Sequence, residues 1–178
     1  MRLDAFLEAL GSKKGAPGGG AAAALTGATG VALVEMISRL NDVRHGHSSR
    51  AAQKAAALRR EFQSLIGKDA KAFEKIKKIY KDHKKKPAAW QSALKNGAGV
   101  PLLICEACVQ ATALAQKERA RTSAWLESDR KESIILLQAA FESAVLNIEI
   151  NLKGITDKAF NARAKKRISQ CRRQLPRS

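Results

Sequence analysis

Gly15-Ala16-Pro17-Gly18-Gly19-Gly20 leads straight into a run of small residues from Ala21 to Ile37. Consecutive glycines pack no core, and each costs about 1 kcal/mol in a helix interior. The triplet therefore reads as backbone set against something, with a long helix starting behind it at about Ala21. The small side chains Ala21 to Ala24 leave the N–H groups and positive dipole end of that helix open to an anion or to the polar edge of a ligand. A flexible turn ahead of an Ala-rich helix is the plain alternative. Phosphate-loop and dinucleotide motifs require other spacings and a preceding strand, and neither is present.

The chain has 178 residues, enough for one domain with a real core. Aromatic residues make up only 4%, while Ala and Leu supply most of the 45% that is apolar, so the chain builds its core by packing helix on helix. No stretch alternates with the period of a strand, and no internal repeat is visible. The expected fold is all-α, an antiparallel helical bundle with long helices. The apolar run Ala21 to Val34 falls short of the roughly 20 residues a membrane span requires and reads as buried, so no membrane partner is expected. The N-terminus Met1-Arg2-Leu3-Asp4 lacks a secretory pattern, and a cytoplasmic location is the expectation. Cys105, Cys108 and Cys171 are an odd set that suits core thiols better than disulfides, and the single C-x-x-C lacks the second pair of a zinc site. His45, His47 and His83 have no ligand-type neighbours at metal spacing, and no metal is expected.

Charge is concentrated. The formal net charge is +17; Lys71 to Lys86 carries eight lysines against Glu74 and Asp82, and Lys158 to Ser178 carries eight Lys or Arg and no acid. Such segments attract polyanions, or serve as solvated helix faces. A nucleic acid is a possible partner that the sequence does not favour, because aromatics for base stacking are scarce and no recognition motif is visible.

In chain order, Leu3, Phe6, Leu7 and Leu10 mark a short helix closed by Gly11. A second helix spans about Ala21 to Val43, and a turn runs through Gly46-His47. Ser48 or Ser49 caps a third helix of about Arg50 to Lys84. The third helix shows an apolar stripe of Leu58, Phe62, Leu65, Phe73, Ile76 and Tyr80, and Asp69 falls on it. A carboxyl there has its pKa pushed up by burial, toward the range of an acid or base working near neutrality; the other reading is that it hydrogen-bonds a helix end across the core. Pro87 to Leu94 reads as a short helix stopped by Asn96-Gly97, with Pro101 opening another. Ser128-Asp129-x-x-Glu132 is a capping-box pattern with Ser128 or Asp129 as N-cap. Along the helix that follows, Asn147 and Asn151 sit one turn apart beside a stripe of Ile134, Leu137, Phe141, Val145, Ile148 and Leu152. Two such amides suit the amide edges of a heterocycle or, equally, hydrogen bonds between helices. Asp157 starts a last, basic helix.

Ala16-Pro17-Gly18-Gly19-Gly20 running into Gly27-Ala28-x-Gly30-x-Ala32-Leu33-Val34-x-Met36, then Asp69-x-x-x-Phe73, Val100-Pro101-Leu102, Ser128-Asp129 and Asn147-Ile148-x-Ile150-Asn151-Leu152-x-x-Ile155-x-Asp157, resemble the C-terminal family of formiminotransferase-cyclodeaminases, which includes stand-alone methenyltetrahydrofolate cyclohydrolases. The likeness spans about Leu3 to Asp157, with departures at Asn41-Asp42-Val43-Arg44 and Trp125-Leu126-Glu127. It implies an all-helical fold that forms a homodimer, with residues 1–157 as the family domain and 158–178 as a basic helix of the same domain. It implies a tetrahydrofolate derivative as substrate, with or without a polyglutamate tail, and no separate cofactor. The implied reaction is hydrolysis of 5,10-methenyltetrahydrofolate to 10-formyltetrahydrofolate, with ammonia release from formiminotetrahydrofolate as the alternative and an inactive polyanion-binding member as another. Asp69 is the implied general acid/base, with Asp129 and Asp157 as candidates to orient water or steady a cationic carbon. Pro17, Gly18, Gly19, Gly20, Asn147 and Asn151 are the implied substrate-binding residues.

Overall fold

A computed structural model describes residues 2–46 and 48–176; Met1, His47, Arg177 and Ser178 lie outside the described residues. Six α-helices follow one another: α1 (Leu3–Leu10), α2 (Gly19–His45), α3 (Arg50–Tyr80), α4 (Pro87–Lys117), α5 (Glu127–Leu152) and α6 (Lys158–Gln174). Two 3₁₀ turns, Glu118–Arg121 and Ala124–Leu126, join α4 to α5.

Helices α2 to α5 form a four-helix ring in which α2 packs on α3 and α5, and α4 packs on the same two. The pairs run antiparallel. Gly20 lies against Asp69 and Gly27 against Phe62, while Gly19 lies against Asn147 and Gly30 against Leu137. Short connections of a few residues between α2, α3 and α4 enforce that order. The core runs through Val31, Val34, Phe62, Leu65, Ile104, Leu137, Phe141 and Ile148, all essentially buried. Small residues on α2 let the backbones approach closely at the glycines, and Phe62 fills the notch left by Gly27. Helix α6 lies along α4 and α5, tied by Arg167 to Glu106 (2.6 Å) and Arg172 to Glu142 (2.7 Å). The three cysteines are buried thiols, with Cys105 directed at the Phe141 carbonyl.

Several boundaries differ from the sequence expectation. α2 begins at Gly19, with Gly18 as N-cap, so two of the glycines form the first helical turn instead of a loop ahead of it. Neighbours leave little room for side chains there: the Asp69 carboxylate occupies the space that a Cβ on residue 20 would need, and Asn147 crowds one on residue 19. α3 ends at Tyr80, not Lys84. The expected helix break near Asn96-Gly97 does not occur, and α4 runs unbroken from Pro87 through Pro101. An internal proline costs about 3 kcal/mol. Burial of Ala98, Val100, Leu102, Ile104 and Cys105 between α3 and α5 outweighs that cost. Ser128 and Asp129 do not cap α5. The helix starts one residue earlier, out of the 3₁₀ turn, and Glu127 pairs with Arg130 through two bonds of 2.7 Å. The α2 helix is also longer than its apolar run implied. By length and composition α2, the α4 helix with its following turn, and α5 could each cross a membrane, but α2 and α4 direct most of that surface into the bundle.

Gly27→Ala tests the close α2–α3 approach. The new methyl overlaps the Phe62 ring, which is fully buried and has nowhere to go. Overpacking of about 1–3 kcal/mol exceeds the helix-propensity gain of up to about 1 kcal/mol, so chemical denaturation should show a net loss of about 1–2 kcal/mol.

Candidate functional site

Where α2 starts, the bundle opens into a cleft of about 450 Å³. Its floor and one wall are Gly15 and Gly18 to Gly20; Asp69, Ala72, Phe73, Ile76 and Tyr80 of α3 form a second wall. Trp90, Leu94 and Gly97 of α4 and Asn147, Ile150, Asn151 and Gly154 at the end of α5 complete it. That volume falls in the range of small-molecule sites.

Asp69 is the one carboxylate among the residues lining the cleft. Gly18 has no side chain with which to cap α2, and its carbonyl already accepts from Ala22 N (3.0 Å). The Asp69 carboxylate takes over the cap from α3 by accepting the Ala21 N–H. Two influences on its proton oppose one another. Burial raises the carboxyl above its ordinary pKa, the Ala21 N–H lowers it, and burial is the larger, so the net direction is upward. Both sequence readings of Asp69 therefore describe the same group: it caps a helix end across the core and it lines a ligand-sized cavity.

The two amides come together with the glycine turn. Asn147 Nδ2 donates to the Ser143 carbonyl (2.7 Å) and Asn151 Nδ2 to the Asn147 carbonyl (2.8 Å). Each amide therefore spends a donor on its own helix and keeps its Oδ1 acceptor for the cleft, where Gly19 packs on Asn147 and Gly97 on Asn151. Pro17 follows a cis peptide bond in the turn and does not itself line the cavity.

Asp129 and Asp157 are not part of this arrangement. Asp129 sits in the first turn of α5, outside the cleft lining. Asp157 caps α6 by accepting from Phe160 N (2.9 Å) and pairs with Lys95 (2.8 Å). The Lys95 ammonium, then the Phe160 N–H, hold its carboxyl below the ordinary value, the opposite direction from Asp69.

Sequence reasoning missed the aromatic wall. Phe73 and Tyr80 were assigned to the core stripe of α3, yet Tyr80 is 63% exposed and stands at the cleft mouth. Its ring stacks on His83 (5.6 Å) and meets Trp90 edge-on (6.1 Å). Three of the chain's eight aromatic residues thus gather on one small cavity. The available signal was the lysine density around Phe73 to Tyr80, which marks that part of α3 as solvent-facing. Among the described residues no three His, Cys, Asp or Glu side chains come together as a metal cluster. A larger groove of about 770 Å³ lies between α5 and α6, walled by Val145, Leu152 and Ile168 beneath Lys165, Arg172 and Arg173, away from these residues.

Comparison with known proteins follows the same outline. The formiminotransferase-cyclodeaminase family profile matches residues 2–170. The chain is 33% identical over 171 residues to a methenyltetrahydrofolate cyclohydrolase of Methylorubrum extorquens, covering 89% of this chain and 82% of that one. It is 31% identical over 180 residues to the formimidoyltransferase-cyclodeaminase of Sus scrofa, covering 94% of this chain and 33% of that longer protein. Its fold superposes on the crystal structure of a formiminotetrahydrofolate cyclodeaminase from Thermotoga maritima with a TM-score of 0.91 at 28% identity, over 98% of this chain and 90% of that one. With the glycine turn, Asp69 and the paired amides all on one cleft inside a matching fold, this chain belongs to the formiminotransferase-cyclodeaminase family.

Proposed function

We propose that the chain is a cytoplasmic folate one-carbon enzyme that hydrolyses 5,10-methenyltetrahydrofolate to 10-formyltetrahydrofolate, with Asp69 as its general acid/base. The observation that carries this reading is a carboxyl lining a cleft of about 450 Å³ against the open turn of α2, its pKa pushed up by burial. The cyclohydrolase relative, of which the chain covers 82%, supports the choice of reaction.

The chemistry asks for a group that both takes and gives a proton. Water adds to the cationic carbon bridging N5 and N10, and its proton passes to the Asp69 carboxylate. Collapse of the tetrahedral intermediate breaks the bond from carbon to N5, and Asp69 returns a proton to that nitrogen; the reaction releases one proton overall. A carboxyl with a pKa above the ordinary range serves both halves better than a strongly acidic one. The Asn147 and Asn151 Oδ1 atoms accept from the donor edge of the pterin. Trp90, Tyr80 and Phe73 offer flat apolar surface to its rings. Lys81 and Lys84 to Lys86, exposed in the connection that follows α3, lie next in the chain to the cleft-mouth Tyr80 and would meet an anionic glutamate tail leaving there, which makes a polyglutamylated folate the preferred form. The same general acid/base serves ammonia release from formiminotetrahydrofolate, a second reading favoured by the Thermotoga maritima structure. Assaying both folates with purified protein decides between them.

Asp69→Asn should lower turnover by about 10²–10⁴-fold, followed as the loss of methenyltetrahydrofolate absorbance. Unchanged turnover would remove Asp69 from the chemistry. Gly20→Ala should have a similar effect by displacing that carboxylate. Asp157→Ala should instead lower stability modestly through its lost cap on α6, read as an earlier denaturation midpoint, with turnover nearly unchanged.

Asp69 also predicts a stability signature. Because its folded pKa is raised, wild type carries a penalty that is absent below the ordinary value of 3.8 and develops as pH rises from there through the folded value. Asp69→Asn lacks that penalty. Denaturation at neutral pH should find the variant more stable than wild type, and the difference should shrink to nothing below about pH 4.

A further inference from the structure

Along α3, Lys68, Lys71, Lys75 and Lys78 are all exposed, and steps of three and four keep them on one flank of the helix. Lys75 and Lys78 border a groove of about 490 Å³ whose other wall is Ala89, Ser92, Ala93 and Asn96 of α4. That groove shares no residue with the cleft, so this flank of α3 is turned to the outer side of α4. Helix α6 brings a second row of cations. Arg167 reaches Glu106 of α4 (2.6 Å), which fixes the side of α6 that borders α4. Arg163 lies one turn before Arg167 and Lys166 beside it, both exposed. Because α6 packs on α4 from outside the four-helix ring, α4 lies between the two rows, and α6 stands proud of it. With neighbouring helices about 8–10 Å apart, the rows are about 20 Å apart across a valley.

The valley floor is uncharged. Between the rows α4 exposes Ser92, Asn96, Leu103 and Gln110, while Glu106 is spent on Arg167. None of the six cations Lys68, Lys71, Lys75, Lys78, Arg163 and Lys166 is in an ion pair among the described residues. Asp157, whose charge reaches Arg163, is held by Lys95 (2.8 Å). Glu74 sits about 100° round α3 from Lys75, away from α4, and Glu61 lies about 10 Å along the helix from Lys68.

An extended polyanion fits these rows, and what the face lacks narrows its kind. Helices that lie on a lipid surface carry an apolar side to bury in it. Here Leu103, 37% exposed, is the one large apolar side chain exposed between the rows among the described residues. A flat surface also touches α6 before it reaches the lysines of α3. Single-stranded nucleic acid is held by stacking on aromatic rings, and Tyr80 and Trp90 belong to the cleft instead. A rigid rod of phosphates needs neither apolar anchor nor ring. The row from Lys68 to Lys78 is about 15 Å long, over which a duplex carries about nine backbone charges.

We propose that the valley between α3 and α6 binds the phosphate backbone of a nucleic-acid duplex, reading neither its sequence nor its sugar. The α3 lysines take the phosphates of one strand, and Arg163 and Lys166 those of the other.

Fluorescence anisotropy of the full chain with a labelled DNA duplex of about 20 base pairs tests this. Affinity should fall about 10³-fold between about 50 and 200 mM salt, the loss expected for six neutralised phosphates. Two DNA duplexes of unrelated sequence and an RNA duplex should bind within about threefold of one another, since phosphate contacts carry no sequence information. Arg163→Glu with Lys166→Glu, and separately Lys68→Glu with Lys75→Glu, should each weaken binding more than about tenfold. Lys84→Glu with Lys86→Glu changes the net charge equally outside the valley and should cost less than about threefold. Helical circular dichroism should be retained in all three. Equal losses in the three double variants would reduce the effect to net charge and overturn the proposal. So would tighter binding to a single strand, or binding to phosphatidylserine vesicles without binding to duplexes. The valley stands apart from the folate reading: the α6 double variant should turn over methenyltetrahydrofolate as wild type does, and a chain inactive on folates that shows this duplex pattern leaves the proposal intact.

Discussion

The carboxylate of Asp69 beneath the first turn of α2 is the contact from which the geometry of this end of the bundle follows. A helix that opens with Gly18-Gly19-Gly20 has no side chain of its own to satisfy its first N–H groups. The acceptor must come from elsewhere, and α3 supplies it through the bond from Ala21 N–H. That bond is possible only because residue 20 has no Cβ. Together with the Gly27–Phe62 contact, this interaction keeps α2 close to α3, and it holds a carboxyl on the wall of the cavity. The helix dipole and N–H favour its charged form by about 0.3–1 kcal/mol, while burial works against charge and prevails in direction. The group is left able to exchange a proton instead of being locked as an ion.

The opposite end of the bundle is organised on different terms. There Asn41 donates to the buried Glu118 (2.7 Å), and Arg121 joins Glu118 to Asp42 (2.7 Å), whose carboxyl is held at about 2, chiefly by that guanidinium. Glu35, further along α2, accepts from both Arg59 and Arg39. Arginines hold the Asp42 and Glu35 carboxyls below their ordinary range, away from proton exchange near neutrality. Asp69 has no cation on it, and the contrast separates a structural carboxylate from one with chemical freedom. The Asn41 to Arg44 and Trp125 to Glu127 segments both fall at this arginine-paired end, outside the cleft lining.

Much of this was legible before any coordinates. The helical period placed Asp69 among inward positions, and the spacing of Asn147 and Asn151 put both amides on one face; each conclusion used only local periodicity, which the bundle preserves. The failures have one cause, namely packing between helices overruling local preference. Glycines are poor helix formers, yet Gly19 and Gly20 form the first turn of α2, where Asp69 leaves no room for a Cβ at residue 20 and Asn147 crowds one at residue 19. Pro101 usually ends a helix, yet α4 passes through it because both flanks are buried. Phe73 and Tyr80 obey the period of the core, but α3 by then borders the cleft, so the same stripe changes from core to binding wall. Asp129 looked like a cap because the 3₁₀ turn ahead of α5 has no sequence mark as clear as a capping box.

The basic stretch at the end of α3 bears on the same carboxyl in a way that magnitudes can settle. A positive potential lowers a carboxyl pKa, so eight lysines on one stretch could be expected to cancel the upward push of burial. They do not, because they are directed at solvent, where their field is screened within about 8 Å at physiological salt, while burial acts on the carboxyl directly. The lysines and Asp69 are thereby separable. On the proposed reading, the former govern how readily an anionic folate tail arrives and respond to ionic strength. The latter governs what happens to the proton once the ring system is in place, and burial shields it from salt.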